Sequence, residues 1–319
     1  MIQALEACIH LRSLEIQTPR SDSLRLLAAA LKTGLPNLDT IGIINKLGDI
    51  PDEDNADMLS AGRKGWRSIR IWKAGPLTAD VVIKHCSTLE SLCMQEAAGL
   101  TSAHMLQVLS SSPKLESFIT LVEDGDEYYE YVKNENTHIA AEDIIDADLM
   151  SSFLKSWACE STLKIFRAKI SGIPRAEITQ TFSKRPLKEG MVIQETYPGQ
   201  SLDIQGRVYD RLARLTRLER LGLGNEDRDL NNDIRHNFPR QEEQEEIDEL
   251  DDDYQQYDCL GLSLQSGLWE LKGLKELKVL SVARMTTRIG PEEKRWIRLN
   301  WLRIERLELG GHKDVEYLE

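Results

Sequence analysis

The chain has 319 residues, 41% of them hydrophobic and 29% charged, with 20 Gly, 10 Pro and a net charge of −13. These values exclude collagen-like and low-complexity fibres, and no run of about 18 apolar residues that could cross a bilayer is present. Five cysteines without a Cys-x-x-Cys pair, and an N-terminus without the basic and apolar regions of a signal peptide, predict a reduced, cytoplasmic or nuclear protein.

In chain order, the first apolar pattern is Leu11/Leu14/Ile16. It is followed by a helix predicted over 23–32, with Leu24, Leu27 and Leu31 on one face and Ser21-Asp22 as its cap. Leu38/Ile41/Ile43 and Trp66/Ile69/Ile71 repeat the first pattern. Thr78 then predicts a helix cap, with Val81, Val82 and His85-Cys86 facing inward. Leu89/Leu92/Met94 comes next, then a helix capped by Thr101 that turns Met105, Val108 and Leu109 inward. The remaining patterns are Leu115/Phe118/Thr120, Leu163/Phe166/Ala168, Leu218/Leu221/Leu223, Leu277/Leu280/Val282 and Ile304/Leu307/Leu309. The spacing Leu-x-x-Leu-x-Leu, with other apolar residues allowed, thus recurs nine times. From one middle residue to the next the steps are 27, 28, 23, 26, 48, 55, 59 and 27. The three long steps either hide degenerate repeats or carry insertions. Leu5 and Ile9 stand at helical spacing without a polar cap, which predicts that the array continues upstream of Met1.

One such unit, strand then turn then helix, has an apolar strand edge and an apolar helix face and can bury neither alone. Stacking units side by side buries both. The fold predicted is therefore α/β, a leucine-rich-repeat solenoid (horseshoe) with a parallel concave sheet and convex helices, forming a single domain over 1–319. The middle residues of the nine patterns are predicted to lie buried in one line. The stretch Cys86-Ser-Thr-Leu-Glu-Ser-Leu-Cys-Met94, with Gly99-Leu-Thr-Ser-Ala-His-Met-Leu-Gln-Val-Leu109 and Pro113-Lys-Leu-Glu116, resembles ribonuclease-inhibitor-like and cysteine-containing repeats. Trp157-Ala-Cys-Glu-Ser-Thr-Leu-Lys-Ile-Phe166 with Ile170-Ser-Gly-Ile-Pro174, the stretch from Val208 to Glu219, and that from Leu277 to Met285 resemble fungal F-box/leucine-rich-repeat proteins in their repeat region. That resemblance implies an adaptor of a ubiquitin ligase, in which an F-box docks the Skp adaptor and the repeats hold a protein substrate. No Leu-Pro-x-Glu-type F-box helix stands in these residues, so a Skp partner requires an F-box outside them.

The charge is unevenly spread. Residues 225–258 hold 14 Asp/Glu and 3 Arg, and residues 122–148 hold 10 Asp/Glu and one Lys. The other 258 residues carry 29 acids and 36 bases, a net of +7. Both acidic segments read as solvated insertions, 225–258 as a disordered one. Both are expected to leave the sheet on one rim near Arg167, Lys169 and Arg220, and either to extend into solvent or to fold loosely over its basic inner face. Such charge repels phosphates, so no nucleic-acid partner is expected, nor any membrane, and the chain is expected to be a monomer.

No cofactor, metal or catalytic group is expected, and the chain is read as a non-enzyme. Gly222-Leu-Gly224 is a lone Gly-x-Gly that fits a repeat turn. His85, Cys86, Cys93 and His104 match no zinc spacing, and Cys86 and Cys93 read as buried repeat residues. Period-two alternation instead points to the concave surface as the binding site: Glu15, Gln17, Arg70, Trp72 and Gln95, then Arg167, Lys169, Arg220, Arg306 and Glu308. Five of these are basic and one is a large aromatic, the composition of a recognition surface. The function expected is protein binding, as the substrate-recognition part of an F-box-type ligase adaptor. The alternatives are a free-standing scaffold or inhibitor, and a small-GTPase regulator with an Arg or Asn placed to reach nucleotide.

Overall fold

The computed structural model describes residues 8–17, 20–44, 50–62, 64–96, 100–120, 144–152, 155–174, 199–224, 259–282, 285, 287, 289–309 and 315–317. Each of the predicted patterns forms a strand of one sheet. They are β1 (Ser13–Gln17), β2 (Thr40–Ile44), β3 (Ser68–Lys73), β4 (Ser91–Glu96), β5 (Ser117–Ile119), β7 (Ile165–Arg167), β9 (Arg220–Gly222), β10 (Val279–Ser281) and β11 (Arg306–Glu308). These strands are parallel, and the middle residues of the patterns are successive partners: Leu14, Ile41, Ile69, Leu92, Phe118, Phe166, Leu221, Leu280 and Leu307. All are buried except Leu14, which is half-buried because no strand flanks β1 on its other side among the described residues. The chain is a leucine-rich-repeat solenoid.

Two expectations are corrected and one alternative is decided. The sheet is not wholly parallel: β12 (Val315–Tyr317) pairs antiparallel with β11, as a short reversal must, since a parallel partner needs a long crossover. The long steps hide no further main-sheet strand among the described residues, because β5 bonds directly to β7, β7 to β9 and β9 to β10. The expected insertion 122–148 is too long at its end. Its last residues form β6 (Ile144–Asp146) and the start of α5 (Ala147–Ser152), with Ile145 and Ala147 fully buried. The rest of that insertion, all of 225–258 and residues 1–7 lie outside the described residues, and with them the expected approach of the acidic segments to the sheet.

Helices line the other side of the sheet. α1 (Ser21–Thr33) starts earlier than predicted: Arg20 occupies the cap position, so Ser21 and Asp22 belong to the first turn. α2 (Asp52–Ser60) is missed by apolar periodicity because its sequence is acidic, yet Ala56, Met58 and Leu59 are buried. α3 (Pro76–Lys84) is not capped by Thr78, which is buried within the helix. The cap comes from the preceding repeat: the Asp52 carboxylate accepts from the N–H groups of Gly75 at 2.9 Å, Leu77 at 2.7 Å and Thr78 at 3.2 Å. α4 (Ser102–Ser111) begins as predicted, with Thr101 accepting from the His104 N–H and His104 Nδ1 accepting from the Thr101 N–H.

The core is continuous through the first long step. Phe118 of β5 stacks on Phe166 of β7 at 5.9 Å between ring centroids, and Trp157 stacks on Phe166 at 5.7 Å. Beyond β9 the return to the sheet carries no α-helix among its described residues. The segment 259–267 is pinned to α6 (Gly199–Ala213) by buried side chains. Gln205 Oε1 accepts from the Gly261 N–H at 2.9 Å, and Tyr209 OH accepts from the Leu262 N–H at 3.0 Å and meets Ser266 Oγ at 3.2 Å. Leu262 adopts a left-handed φ of 51° while fully buried, a conformation that these bonds hold in place. A 3-10 turn over Leu268–Gly273 and α7 (Pro291–Asn300) complete the array. Among the described residues no helix is long and apolar enough to cross a membrane.

Candidate functional site

Because the middle residues point at the helices, their neighbours one residue away point to the helix-free face, the concave face of the prediction. The register lines these neighbours into two rows. One row runs Ser13, Thr40, Ser68, Ser91 and Ser117 on β1 to β5, then Ile165, Arg220, Val279 and Arg306 on β7 to β11. The other runs Glu15, Gly42, Arg70, Cys93 and Ile119, then Arg167, Gly222, Ser281 and Glu308.

Most of the predicted site residues fall on this face. Glu15 and Gln17 are exposed on β1; Arg70 and Trp72 are half-buried on β3; of Gln95, on β4, only the backbone is described. Arg167, Arg220, Arg306 and Glu308 lie on β7, β9 and β11, and Arg167 and Glu308 are buried, 2% and 9% exposed. Lys169 does not belong to the row. After Arg167 the Ala168 N–H still donates to the Gly222 carbonyl at 3.0 Å, but the chain then leaves the main sheet as β8 (Lys169–Ser171). There it pairs in parallel with β6, Ile170 opposite Ile145, and burying these two residues moves Lys169 to a separate sheet. Cys93, expected in the core, stands half-exposed on the open face, as counting one residue on from buried Leu92 requires. Cys86 is buried, and burial pushes its thiol up, as it pushes Cys159 up to about 12, so both stay protonated at neutral pH. Burial also lowers the His85 imidazole below its ordinary value. Among the described residues no three His, Cys, Asp or Glu side chains gather to hold a metal ion.

A second charged row escaped sequence reasoning. The residue before each strand offers its carbonyl to two N–H groups of the next repeat. The Arg67 carbonyl accepts from Glu90 and Ser91 at 2.7 and 3.1 Å, and that of Glu219 from Lys278 and Val279 at 2.8 and 3.1 Å. Their side chains pair along this rim: Arg67 with Glu90 at 2.5 Å, Lys164 with Glu116 at 2.8 Å and Lys278 with Glu219 at 2.6 Å. The hydrogen bond from Lys278 holds the Glu219 carboxyl below its usual range, and the partner carboxylates raise Lys278 and Arg67. The signal was present as the second residue of each Leu-x-x-Leu-x-Leu, but only the register shows which charges meet.

Charges on the open face are matched differently. Arg306 Nε lies 2.5 Å from Glu308 Oε1, while Glu308 Oε2 and Ser281 Oγ are buried and accept no hydrogen bond among the described residues. Arg167 extends across Gly222, where a Cβ would stand 2.9 Å from Arg167 Cγ, so only glycine leaves it that path. Arg70 and Arg220 meet no carboxylate among the described residues.

No family model and no curated protein matches this sequence. Among solved structures the chain is similar to a leucine-rich-repeat protein of Leptospira interrogans, at 11% sequence identity and a TM-score of 0.29, covering 95% of this chain and 73% of that one. The leucine-rich-repeat assignment rests on this chain's own geometry, the recurring pattern and the single register that aligns its buried residues across the parallel strands.

Proposed function

We propose that the chain is a non-enzymatic protein-binding module that uses the open face of its sheet, and that it serves as the substrate-recognition part of an F-box-type ubiquitin ligase adaptor. The observation that carries the binding reading is the contrast in charge pairing. Arg67, Lys164 and Lys278 along the rim are matched by the neighbouring repeat, while Arg70 and Arg220 on the open face are left without a carboxylate among the described residues. Arginine is among the side chains that most often anchor a protein interface. The adaptor reading is supported by the repeat resemblance in 157–174, 208–219 and 277–285.

The test places a photo-crosslinking residue at Ser68 or Ser117 on the open face and, as a control, at Leu26 or Leu299 on the helix side, where both leucines are exposed. Partners identified from the open face, and confirmed with purified protein, support the binding reading. Partners captured only from the helix side sink it. Co-purification of Skp adaptor and cullin with the full gene product tests the adaptor role, and their absence leaves a scaffold or inhibitor.

A further inference from the structure

We infer, resting on that binding reading, that the open face between β3 and β9 takes an extended partner segment bearing two carboxylates that flank apolar side chains. Arg70 on β3 and Arg220 on β9 stand at the two ends of this stretch, each without an acidic partner among the described residues. Between them the face turns apolar: Cys93, Ile119 and Ile165 are half-exposed on β4, β5 and β7. The first five strands contribute only small hydroxyl side chains to the adjoining row, Ser68, Ser91 and Ser117 among them, so a backbone can approach the sheet closely there.

The spacing fixes the length of the segment. β3 and β9 are separated by β4, β5 and β7. At about 4.8 Å between neighbouring strands, allowing for the shift from one row to the other, the two arginines lie about 20 Å apart. An extended chain advances about 3.3 Å per residue and shows every second side chain to one face. A segment crossing this distance therefore presents carboxylates roughly six residues apart, with two apolar side chains at the alternate positions between them. Arg167 lies across Gly222 beside Arg220. A basic segment would meet like charge at the Arg220 end.

The probe is a fluorescein-labelled, glycine-flanked peptide Glu-Ser-Leu-Ser-Val-Ser-Glu, compared by fluorescence anisotropy with the same peptide carrying Lys in place of both Glu. The wild-type chain should bind the Glu peptide and not the Lys peptide. Arg70→Glu or Arg220→Glu should each weaken binding about tenfold, Arg220→Gln by less, and the double reversal should bind the Lys peptide instead. Unchanged melting curves keep these variants interpretable, and the exchange of preference cannot come from misfolding. The inference is overturned if the Glu peptide does not bind, if both peptides bind alike, or if the reversals have no effect. Should crosslinks still form from Ser68 and Ser117 in that case, the binding reading stands and only the acidic motif falls; if they too are absent, the reading itself falls.

Discussion

From β1 to β5 the solenoid returns through four helices in succession, whereas between β9 and β10 the described return is a pinned segment and a 3-10 turn. The helices of the first half bury Leu24, Leu27 and Leu31, then Met58 and Leu59, then Val81 and Val82, then Met105, Leu106 and Leu109. Polar side chains hold the later return: Gln205 and Tyr209 satisfy the backbone of 261–262 inside the protein. Each repeat must cover its strand with something apolar and leave no buried N–H unbonded. A helix does both by itself, while an irregular segment needs a donor or acceptor from its neighbour. The two halves also differ on the open face, which is small and hydroxylated along one row of β1–β5 and carries Arg167, Arg220, Arg306 and Glu308 beyond it.

The comparison can be broken first at the joint between the halves. Phe118→Ala and Phe166→Ala remove members of the aromatic stack and should each cost about 3–5 kcal/mol in urea unfolding. Leu14→Ala, on the half-buried edge strand, should cost about 1 kcal/mol; equal costs would mean that the edge is covered. The polar anchoring of the second half predicts that Tyr209→Phe, which strands the Leu262 N–H, loses about 1–3 kcal/mol. A loss below a few tenths would show that packing alone holds this return.

In the first half, Asp52→Ala uncovers the N–H groups of α3 and should lower stability by about 1–2 kcal/mol, an effect that Asn should partly restore. The pH dependence has a defined sign at His85, whose pKa is lowered mainly by burial against Trp66, helped by Lys84 and opposed by a hydrogen bond with the Leu59 backbone. The unfolded chain takes up the proton first, so this group's contribution is lost as pH falls below 6.5 towards the lower folded value. His85→Phe should flatten that part of the stability profile, and an unchanged profile would assign the slope elsewhere. The smallest effect is expected at the rim, where a double-mutant cycle on Lys278 and Glu219 should give about 0–1 kcal/mol and fade with salt.

Where apolar side chains repeat with fixed spacing, the sequence by itself determined the structure. The nine patterns became aligned strands because a one-residue slip would expose every buried side chain, so register follows from pattern. Thr101 was legible as a cap because its partner His104 is three residues away in the chain. The Asp52 cap on α3 was not legible, because the carboxylate and the N–H groups it satisfies are some 23–26 residues apart and meet only when repeats stack.

The same distinction runs through the candidate site. Alternation along a strand placed Arg70, Arg220, Arg306 and Glu308 on the open face. It could not foresee that Lys169 would be drawn away, since that depends on Ile170 finding Ile145 across a long insertion. Nor could it tell matched charges from unmatched ones. Arg67 and Arg70 sit three residues apart with the same chemistry, yet the first meets Glu90 and the second meets no carboxylate among the described residues. One-dimensional order fixes which side of a strand a residue occupies; which charges come within a few ångströms, and so which remain for a partner, is decided by the lateral stacking of repeats in three dimensions.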